Sequence, residues 1–369
     1  MDPAACAMVL LATPGSKRVR QLQAARAQLG LPVAQVVAWR DWLEEPARID
    51  AALDRPCLFK IEPPGDDPLA HLHLLHAGCR LLGLPPLRAP EHGELLAMDV
   101  WFAGFAAAMQ GLARRLASLP RAQVVNAPDA ICLMTDKLAC QRHLTAHGVP
   151  TPVLLGRVDG YDHLQALLQE HDLDRLYLKP RYGSSASGVV AYRRNRSGRQ
   201  QATTSAKIVH GGGGMRLFNV KRITRYEPAT DIAALVDALA AQALYAEAWL
   251  DKPRCGDRHY DLRAVAIAGQ PAHRVARLGA QMMTNLHLDN QRGDAATLLD
   301  GADMAALEAA VLQAGRAFRA SGVVGYDLVV RRGQAHLLEA NAFGDLLPGL
   351  LWQGHDTYAA QLLALHRHA

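Results

Sequence analysis

Two apolar runs near the C-terminus constrain the fold of this chain most, because each carries an acid inside it. Gly325-Tyr326-Asp327-Leu328-Val329-Val330 is followed at short range by Leu337-Leu338-Glu339-Ala340-Asn341. Short runs of this character read as core strands. Side chains two apart on a strand share a face, so Glu339 and Asn341 point the same way. With Asp327 on the neighbouring strand they offer hard oxygen donors, suited to Mg2+ or Mn2+ bridging phosphates. Carboxylates buried without a cation or an arginine are costly, so such a partner is required. A structural salt-bridge network is the competing reading.

Upstream, Leu178-Lys179-Pro180-Arg181 leads into Tyr182-Gly183-Ser184-Ser185-Ala186-Ser187-Gly188-Val189. Here a strand delivers a lysine and then a loop of small residues, whose backbone N–H groups can approach phosphate oxygens. A hairpin with a surface lysine fits the same residues equally well. Tyr245-Ala246-Glu247-Ala248-Trp249-Leu250 reads as a strand end where backbone and Glu247 can meet an adenine edge. It also fits an ordinary strand end. Arg263 and Arg277 sit on or beside strands that otherwise read as buried. Arginines so placed meet an anion, either a protein carboxylate or a transferring phosphate.

The rest of the chain sets the frame. At 369 residues it is too long for one simple core and reads as two or three packed lobes. With 50% hydrophobic and 20% charged residues, a folded chain is expected over a disordered one. A net charge of +5 is too weak to argue for nucleic-acid binding. The six cysteines form no CxxC pair, which reads as reduced thiols in a cytosolic protein. No signal pattern opens the sequence and no apolar run is long enough to cross a bilayer, so the cytoplasm is expected and no membrane partner.

Met8–Ala12, a turn at Thr13-Pro14-Gly15, a helical pattern (Val19, Leu22, Ala25, Leu29) and a second run from Val33 to Ala38 suggest a parallel α/β lobe. Gly15-Ser16-Lys17 fits neither GxGxxG nor GxxxxGK[ST], so a nucleotide site is not placed there. Residues 68–83 read as a helix with a stripe of Leu69, Leu72, Leu75, Cys79 and Leu82. His71, His73 and His76 on it are taken as a solvated face in preference to metal ligands. Further helices are expected over 101–118 and 136–147, with Asn126-Ala127-Pro128-Asp129 as a turn and helix start. From about 150 short β-rich runs suggest a small antiparallel lobe, with Gly211–Gly214 as a hairpin tip. A helix over 230–243, strands from 245 to about 278, a helix over 303–320 and a last helix over 356–367 complete the reading.

In this order, Lys137, Lys179 with its small-residue loop, Glu247, Arg263, Arg277, Asn285, Asp327 and Glu339-x-Asn341 resemble the ATP-grasp superfamily. The likeness is closest to the branch holding glutathione synthetase and the ligases that add amino acids to peptides or proteins. Thr284-Asn285-Leu286-His287 is similar to the Ser-Asn-Leu-His segment of the ribosomal-protein glutamate ligases. The resemblance covers about 126–345. It implies two α+β lobes gripping ATP, preceded by a Rossmann-like lobe, with boundaries at 1–125, 126–246 and 247–369.

The same resemblance implies roles. Lys137 and Lys179 would hold the α- and β-phosphates, with the loop of Gly183, Ser184, Ser185, Ser187 and Gly188 closing over them. Glu247, with the backbone near Trp249 and Leu250, would take the adenine. Arg263, Arg277 and Asn285 would meet the γ-phosphate and an acyl-phosphate formed from it, while Asp327, Glu339 and Asn341 would bind Mg2+ or Mn2+. The activity so implied joins a small-molecule or peptide carboxylate to an amine or thiol acceptor, with ATP consumed; oligomeric state, a homodimer included, is left open. Ala342-Phe343-Gly344-Asp345 departs from the pattern that follows the Asn in many members, where a proline comes early. The alternatives are a small-molecule kinase on the same fold and an ATP-binding regulatory module without turnover.

Overall fold

A computed structural model describes residues 7–183, 186–211, 214–284 and 290–365. The N-terminal region contains β1 (Met8–Ala12), α1 (Lys17–Gln28), β2 (Gln35–Ala38), α2 (Trp39–Glu44), α3 (Arg48–Ala52), β3 (Cys57–Ile61), α4 (Pro68–Leu81), α5 (Met98–Ala117) and β4 (Ala122–Val124). Its four strands run parallel in the order β2-β1-β3-β4, with a helical crossover after β1. This is the arrangement expected of a Rossmann-like lobe. Gly15-Ser16-Lys17 starts α1: the Ser16 hydroxyl accepts from the Val19 amide at 3.3 Å.

Helix α4 forms where the pattern places it, started by Pro68 and capped by Asp67, which accepts from the amides of Leu69 and Ala70 at 2.9 and 3.2 Å. Its buried face matches the expected stripe only in part: Leu75 and Cys79 lie inside, but Leu69 and Leu82 are 55% and 53% exposed, and Ala70, Leu74 and Gly78 turn inward instead. The reason is backbone contact between α4 and α5. A Cβ on Gly78 would lie 1.8 Å from the Val100 carbonyl oxygen, and one on Gly104 would lie 1.9 Å from that of Leu74. Two glycines facing each other set the helix rotation, which side-chain hydrophobicity alone does not reveal.

The middle of the chain contains α6 (Pro128–Thr135), α7 (Lys137–Ala146), β5 (Leu154–Val158), α8 (Tyr161–Glu170), β6 (Arg175–Pro180), β7 (Val190–Arg194), β8 (Gln200–Gly211), β9 (Gly214–Tyr226), α9 (Ala229–Ala240) and β10 (Leu244–Ala248). The sheet is antiparallel, in the order β5-β10-β6-β7-β8-β9. The position between residues 246 and 247 falls inside β10, which pairs with β5 and β6. Asp136 separates α6 from α7; its carboxylate caps Ala139 at 3.1 Å and accepts from Arg181 at 2.7 and 2.6 Å. Asn126 is more than a turn residue. Its amide donates to the carbonyls of Val323 and Ala342 at 2.8 and 3.2 Å and accepts from the Val323 amide at 3.0 Å.

The last part contains β11 (Arg254–Cys255), β12 (Arg258–Ile267), β13 (Gln270–Gly279), β14 (Gln291–Gly293), α10 (Ala295–Leu298), α11 (Gly301–Ala317), β15 (Val323–Arg331), β16 (Gln334–Asn341) and α12 (Thr357–Leu365). A second antiparallel sheet has the order β14-β13-β12-β15-β16. Val265 and Val275 of this sheet and Tyr358 and Leu362 of α12 share a core with Met8, Leu10, Val19 and Leu22, so the first and last regions are fused. The segment between α4 and α5 reaches the other way, onto β9. Leu95 donates its amide to Leu217 at 2.9 Å, Asn219 donates to Gly93 at 2.7 Å, and Arg216 Nε donates to Glu94 at 2.9 Å. No helix among the described residues is long and apolar enough to cross a membrane, and the described cysteines are free.

Candidate active site

The two acid-bearing runs pair as β15 and β16, with Asp327 opposite Glu339 and Gly325 opposite Asn341. Residues directly opposite in an antiparallel pair share a face, so the three oxygen-bearing side chains gather at one end of the sheet. Strand β12 lies on the other side of β15 and sets Arg263 opposite Asp327; β13 sets Arg277 opposite Asp261.

The register produces a ladder of charges. Arg263 grips Asp327 with two nitrogens, Nη2 reaching Oδ2 at 3.1 Å. Arg277 bridges Asp327 at 3.0 Å and Asp261 at 2.7 Å. Lys252 Nζ closes the row on Asp261 at 2.8 Å and Thr284 Oγ1 at 2.9 Å. Burial works against the charged form of Asp327, but the Arg263 and Arg277 guanidiniums outweigh it and hold the carboxyl below its ordinary value. Asp261 is likewise held well below the usual carboxylate range, burial being overcome by Arg277 and Lys252. Burial wins at Lys252, whose ammonium is pushed down despite Asp261.

Two further pairs face this ladder. Lys137, the first residue of α7, meets Glu339. Lys179, near the end of β6, meets Glu247 on β10. Glu247 is 2% exposed, and burial pushes its carboxyl up even with Lys179 beside it. Its Oε2 has no hydrogen-bond partner among the described residues. These groups surround a cleft of about 80 Å3 between the two antiparallel sheets, lined also by Tyr177, Leu250 and Met283.

Lys137, Lys179, Glu247, Leu250, Arg277, Asp327 and Glu339 line that cleft together. Arg263 stands behind Asp327 and also donates to the Gly344 carbonyl at 3.0 Å. Trp249 lies outside the lining, stacked on Tyr177 at 4.6 Å between centroids. The loop after Lys179 divides between two cavities: Ala186 and Val189 border the cleft, while Gly183 and Ser187 border a second cavity. Gly188 (φ 72°) packs against Pro180 and Leu239. Ser184, Ser185 and Asn285 lie outside the described residues, as does the tip at 212–213.

Sequence reasoning missed Tyr177, Lys252 and Asp261. Two of these carried a readable signal. Tyr177 precedes Lys179 by two on a strand and Asp261 precedes Arg263 by two, so each shares a face with a residue already singled out.

The donor set fits a divalent cation with phosphates: Asp327, Glu339 and Asn341 offer only oxygens. No group of three or more acids, histidines or cysteines is gathered for a metal among the described residues; the Asn341 amide would be the third donor, and its Oδ1 accepts from the Phe343 amide at 2.9 Å. The unpartnered Glu247 Oε2 fits the exocyclic amine of adenine. The histidines of α4 do not converge. His71 stacks on Trp101 at 5.5 Å, His76 meets the Leu87 carbonyl at 2.9 Å, and His73 lies 3.7 Å from Glu44. His71 is therefore an inward residue instead of part of a solvated face.

The second cavity, about 340 Å3, adjoins the cleft through Lys137 and Glu339. His71, Met98, Trp101 and Phe105 from the N-terminal region, Tyr182 and Phe343 form its walls. Ala342-Phe343-Gly344-Asp345, the departure after Asn341, is anchored from below. Asp345 is fully buried and pairs with Lys60 at 2.9 Å and Arg18 at 2.6 Å, while Gln361 donates to it at 3.0 Å. Arg18 also donates to the Phe343 carbonyl.

No protein-family model matches the sequence, and no curated protein matches it. Solved structures do. D-cycloserine synthetase DcsG is 17% identical, with a TM-score of 0.57 over 98% of this chain and 99% of that one. The ATP-grasp ligase PsnB, complexed with a phosphomimetic variant of its minimal precursor, Mg and ADP, is 14% identical, with a TM-score of 0.55 over 98% and 99%. Carboxyaminoimidazole ribonucleotide synthase from Aspergillus clavatus, complexed with ATP, is 13% identical, with a TM-score of 0.55 over 99% of this chain and 78% of that one. The parallel lobe, the two antiparallel sheets and the cleft between them make this the ATP-grasp fold.

Proposed function

We propose that the protein is an ATP-dependent ligase that activates a carboxylate as its acyl-phosphate and passes it to an amine or thiol. The observation that carries the reading is the junction of the two cavities. Lys137 and Glu339 border both, so a nucleotide in the charged cleft and a substrate in the adjoining cavity would meet there.

In this reading a carboxylate oxygen attacks the γ-phosphorus, the bond to the β-bridging oxygen breaks, and ADP leaves. The acceptor then attacks the acyl carbon, phosphate departs, and the acceptor's proton is lost. Lys137 and Lys179 hold phosphate oxygens, Glu247 accepts from the adenine amine, and Arg277 meets the transferring phosphoryl group. The chain's task is positioning and charge neutralisation, because phosphoryl transfer needs little covalent help. Asp327, Glu339 and Asn341 would hold Mg2+ or Mn2+, which neutralises phosphate charge when bound. Arg263 orients the Asp327 carboxylate for that role.

The experiment is ADP release measured against carboxylate and acceptor, with hydroxylamine as a trap. A ligase yields a hydroxamate, since hydroxylamine captures the acyl-phosphate. A persistent phosphate ester with no hydroxamate would make the protein a kinase. Tight ATP binding without consumption across a broad panel would make it a binding module.

A further inference from the structure

We infer that the carboxylate activated here carries an uncharged aromatic or bulky aliphatic body, seated in the second cavity; this rests on the ligase reading of the cleft beside it. The cavity is lined mainly by apolar and aromatic side chains, with Glu94 and the group at Lys137 and Glu339 as its charged members. Lys137, Glu339 and Asn341 stand where it meets the cleft, and the wall beyond them is aromatic. His71, Trp101 and Phe105 form a continuous stack, with centroids 5.5 and 5.1 Å apart and rings 21° and 10° from parallel. Tyr182, from the loop after β6, borders the cavity and lies flat on Phe102 of α5 at 4.2 Å. Met98, Met134 and Phe343 fill the spaces between.

The charges that reach the cavity are already satisfied. Glu94 is gripped by Arg88 at 2.7 Å and Arg216 at 2.9 Å, and accepts from the Glu91 amide at 2.9 Å. Burial pushes the His71 imidazole below its ordinary value, so it is neutral at pH 7. Among the described lining residues, the lysine at the junction is the one fixed cation, and it already pairs with Glu339. A single carboxylate placed there reaches the site of phosphoryl transfer. A second carboxylate or a phosphate farther along the ligand would lie against aromatic faces without a partner, which desolvation disfavours strongly. An aromatic or branched aliphatic body buries its apolar surface at the same place. The chemistry thus favours phenylalanine-like or leucine-like carboxylates, and aryl-alkanoic acids, over acidic or very small ones.

The test uses the full chain with Mg-ATP and hydroxylamine. Both enantiomers of phenylalanine, leucine, alanine and glutamate, with 3-phenylpropionate and glutarate, form the panel. Calorimetry with a non-hydrolysable ATP analogue reports binding of each carboxylate separately. Hydroxamate and ADP should form with an aromatic or branched aliphatic carboxylate, at a kcat/KM roughly a hundredfold or more above that for alanine or glutamate. Trp101→Ala should lower kcat/KM for the aromatic carboxylate by about tenfold or more, through KM, and leave ATP affinity unchanged. Should alanine loosen the α4–α5 contact, Trp101→Leu keeps apolar volume and still removes the ring stack. Preferential reaction with glutamate or glutarate would overturn the inference and leave the ligase reading standing. Binding of aromatic carboxylates that depends on Trp101, without hydroxamate from any member, would support the cavity assignment and remove the ligase. A panel in which no aromatic or aliphatic member binds or reacts would overturn the inference.

Discussion

Replacing Lys179 with alanine separates two roles that the cleft gives to one side chain. Lys179 is 14% exposed and its partner Glu247 is 2% exposed, so the pair is shielded from water. Without the lysine, Glu247 would be an uncompensated buried charge, for which removal of one partner costs about 3–5 kcal/mol. Protonation caps that cost. Keeping a carboxyl neutral takes about 1.36 kcal/mol per pH unit above its unfolded value of about 4.3, hence at most about 3.7 kcal/mol at pH 7. The variant should bind one proton more when folded than when unfolded, so its stability falls as pH rises. Its deficit relative to wild type should shrink by up to about 2 kcal/mol between pH 7 and pH 5.5, as the same linkage requires. Urea titrations at the two pH values measure this. Loss of the charge-assisted phosphate contact is a separate effect, about 1.5–3 kcal/mol, or roughly a 10- to 150-fold weaker ATP dissociation constant by calorimetry. A deficit that does not change with pH would refute the Glu247 argument, and ATP affinity within twofold of wild type would refute the phosphate role.

Asp327→Asn should abolish ATP consumption, as should a chelator on the wild type. It should also cost about 3–5 kcal/mol of stability by chemical denaturation, since Arg263 and Arg277 lose their shared carboxylate; wild-type activity at ordinary magnesium would remove Asp327 from the metal site. Gly104→Ala should destabilise by about 3 kcal/mol or more, because the new Cβ meets backbone 1.9 Å away and not a movable side chain; a melting temperature equal to wild type would show that α4 and α5 separate freely. Asp345 has its carboxyl held well below the ordinary value, burial being outweighed by Lys60 and Arg18. Its stabilisation is therefore present above the unfolded carboxyl value of about 4 and is lost as pH falls through the folded one. Asp345→Asn should flatten the acid side of the stability profile in circular-dichroism titrations, and an unchanged acid limb would contradict the pairing.

What was legible in the sequence follows from the period of the structure that carries it. Strands β15 and β16 announced themselves because core strands are apolar and an acid inside one is conspicuous. Alternation then placed Glu339 and Asn341 on one face, as the register with Asp327 bears out geometrically. The same rule applied to β6 and β12 would have added Tyr177 and Asp261. Lys252 had no such signal, because it lies between strands and reaches Asp261 through the fold. The face of α4 was placed only in part, at Leu75 and Cys79, because two glycines decide its rotation and a glycine contributes nothing to an apolar stripe. His71 followed the same error, since the face that turns inward carries it onto Trp101. Helix α8 went unread within a stretch dominated by short β-rich runs. The aromatic cavity was not legible at all: its walls come from α4, α5, the loop after β6 and the residues after β16, which only tertiary packing unites.

The crossing of the 82–97 segment onto β9 has a consequence for the folded sheet as a material. Strand β9 ends its sheet and is 13 residues long, so its outer row of amides and carbonyls would otherwise be a template for another chain. Backbone bonds from Leu95 and to Gly93 occupy that row at Leu217 and Asn219, and the Arg88–Glu94–Arg216 cluster clamps the covering segment in place. The opposite edge, β5, has only five residues and offers little length for pairing. A piece of a different lobe thus covers this edge at Leu217 and Asn219. Weakening that clamp, with Glu94→Gln for example, exposes the edge and turns a local loss of salt bridges into a tendency of whole molecules to join edge to edge, visible as concentration-dependent light scattering at temperatures where the sheet itself is intact.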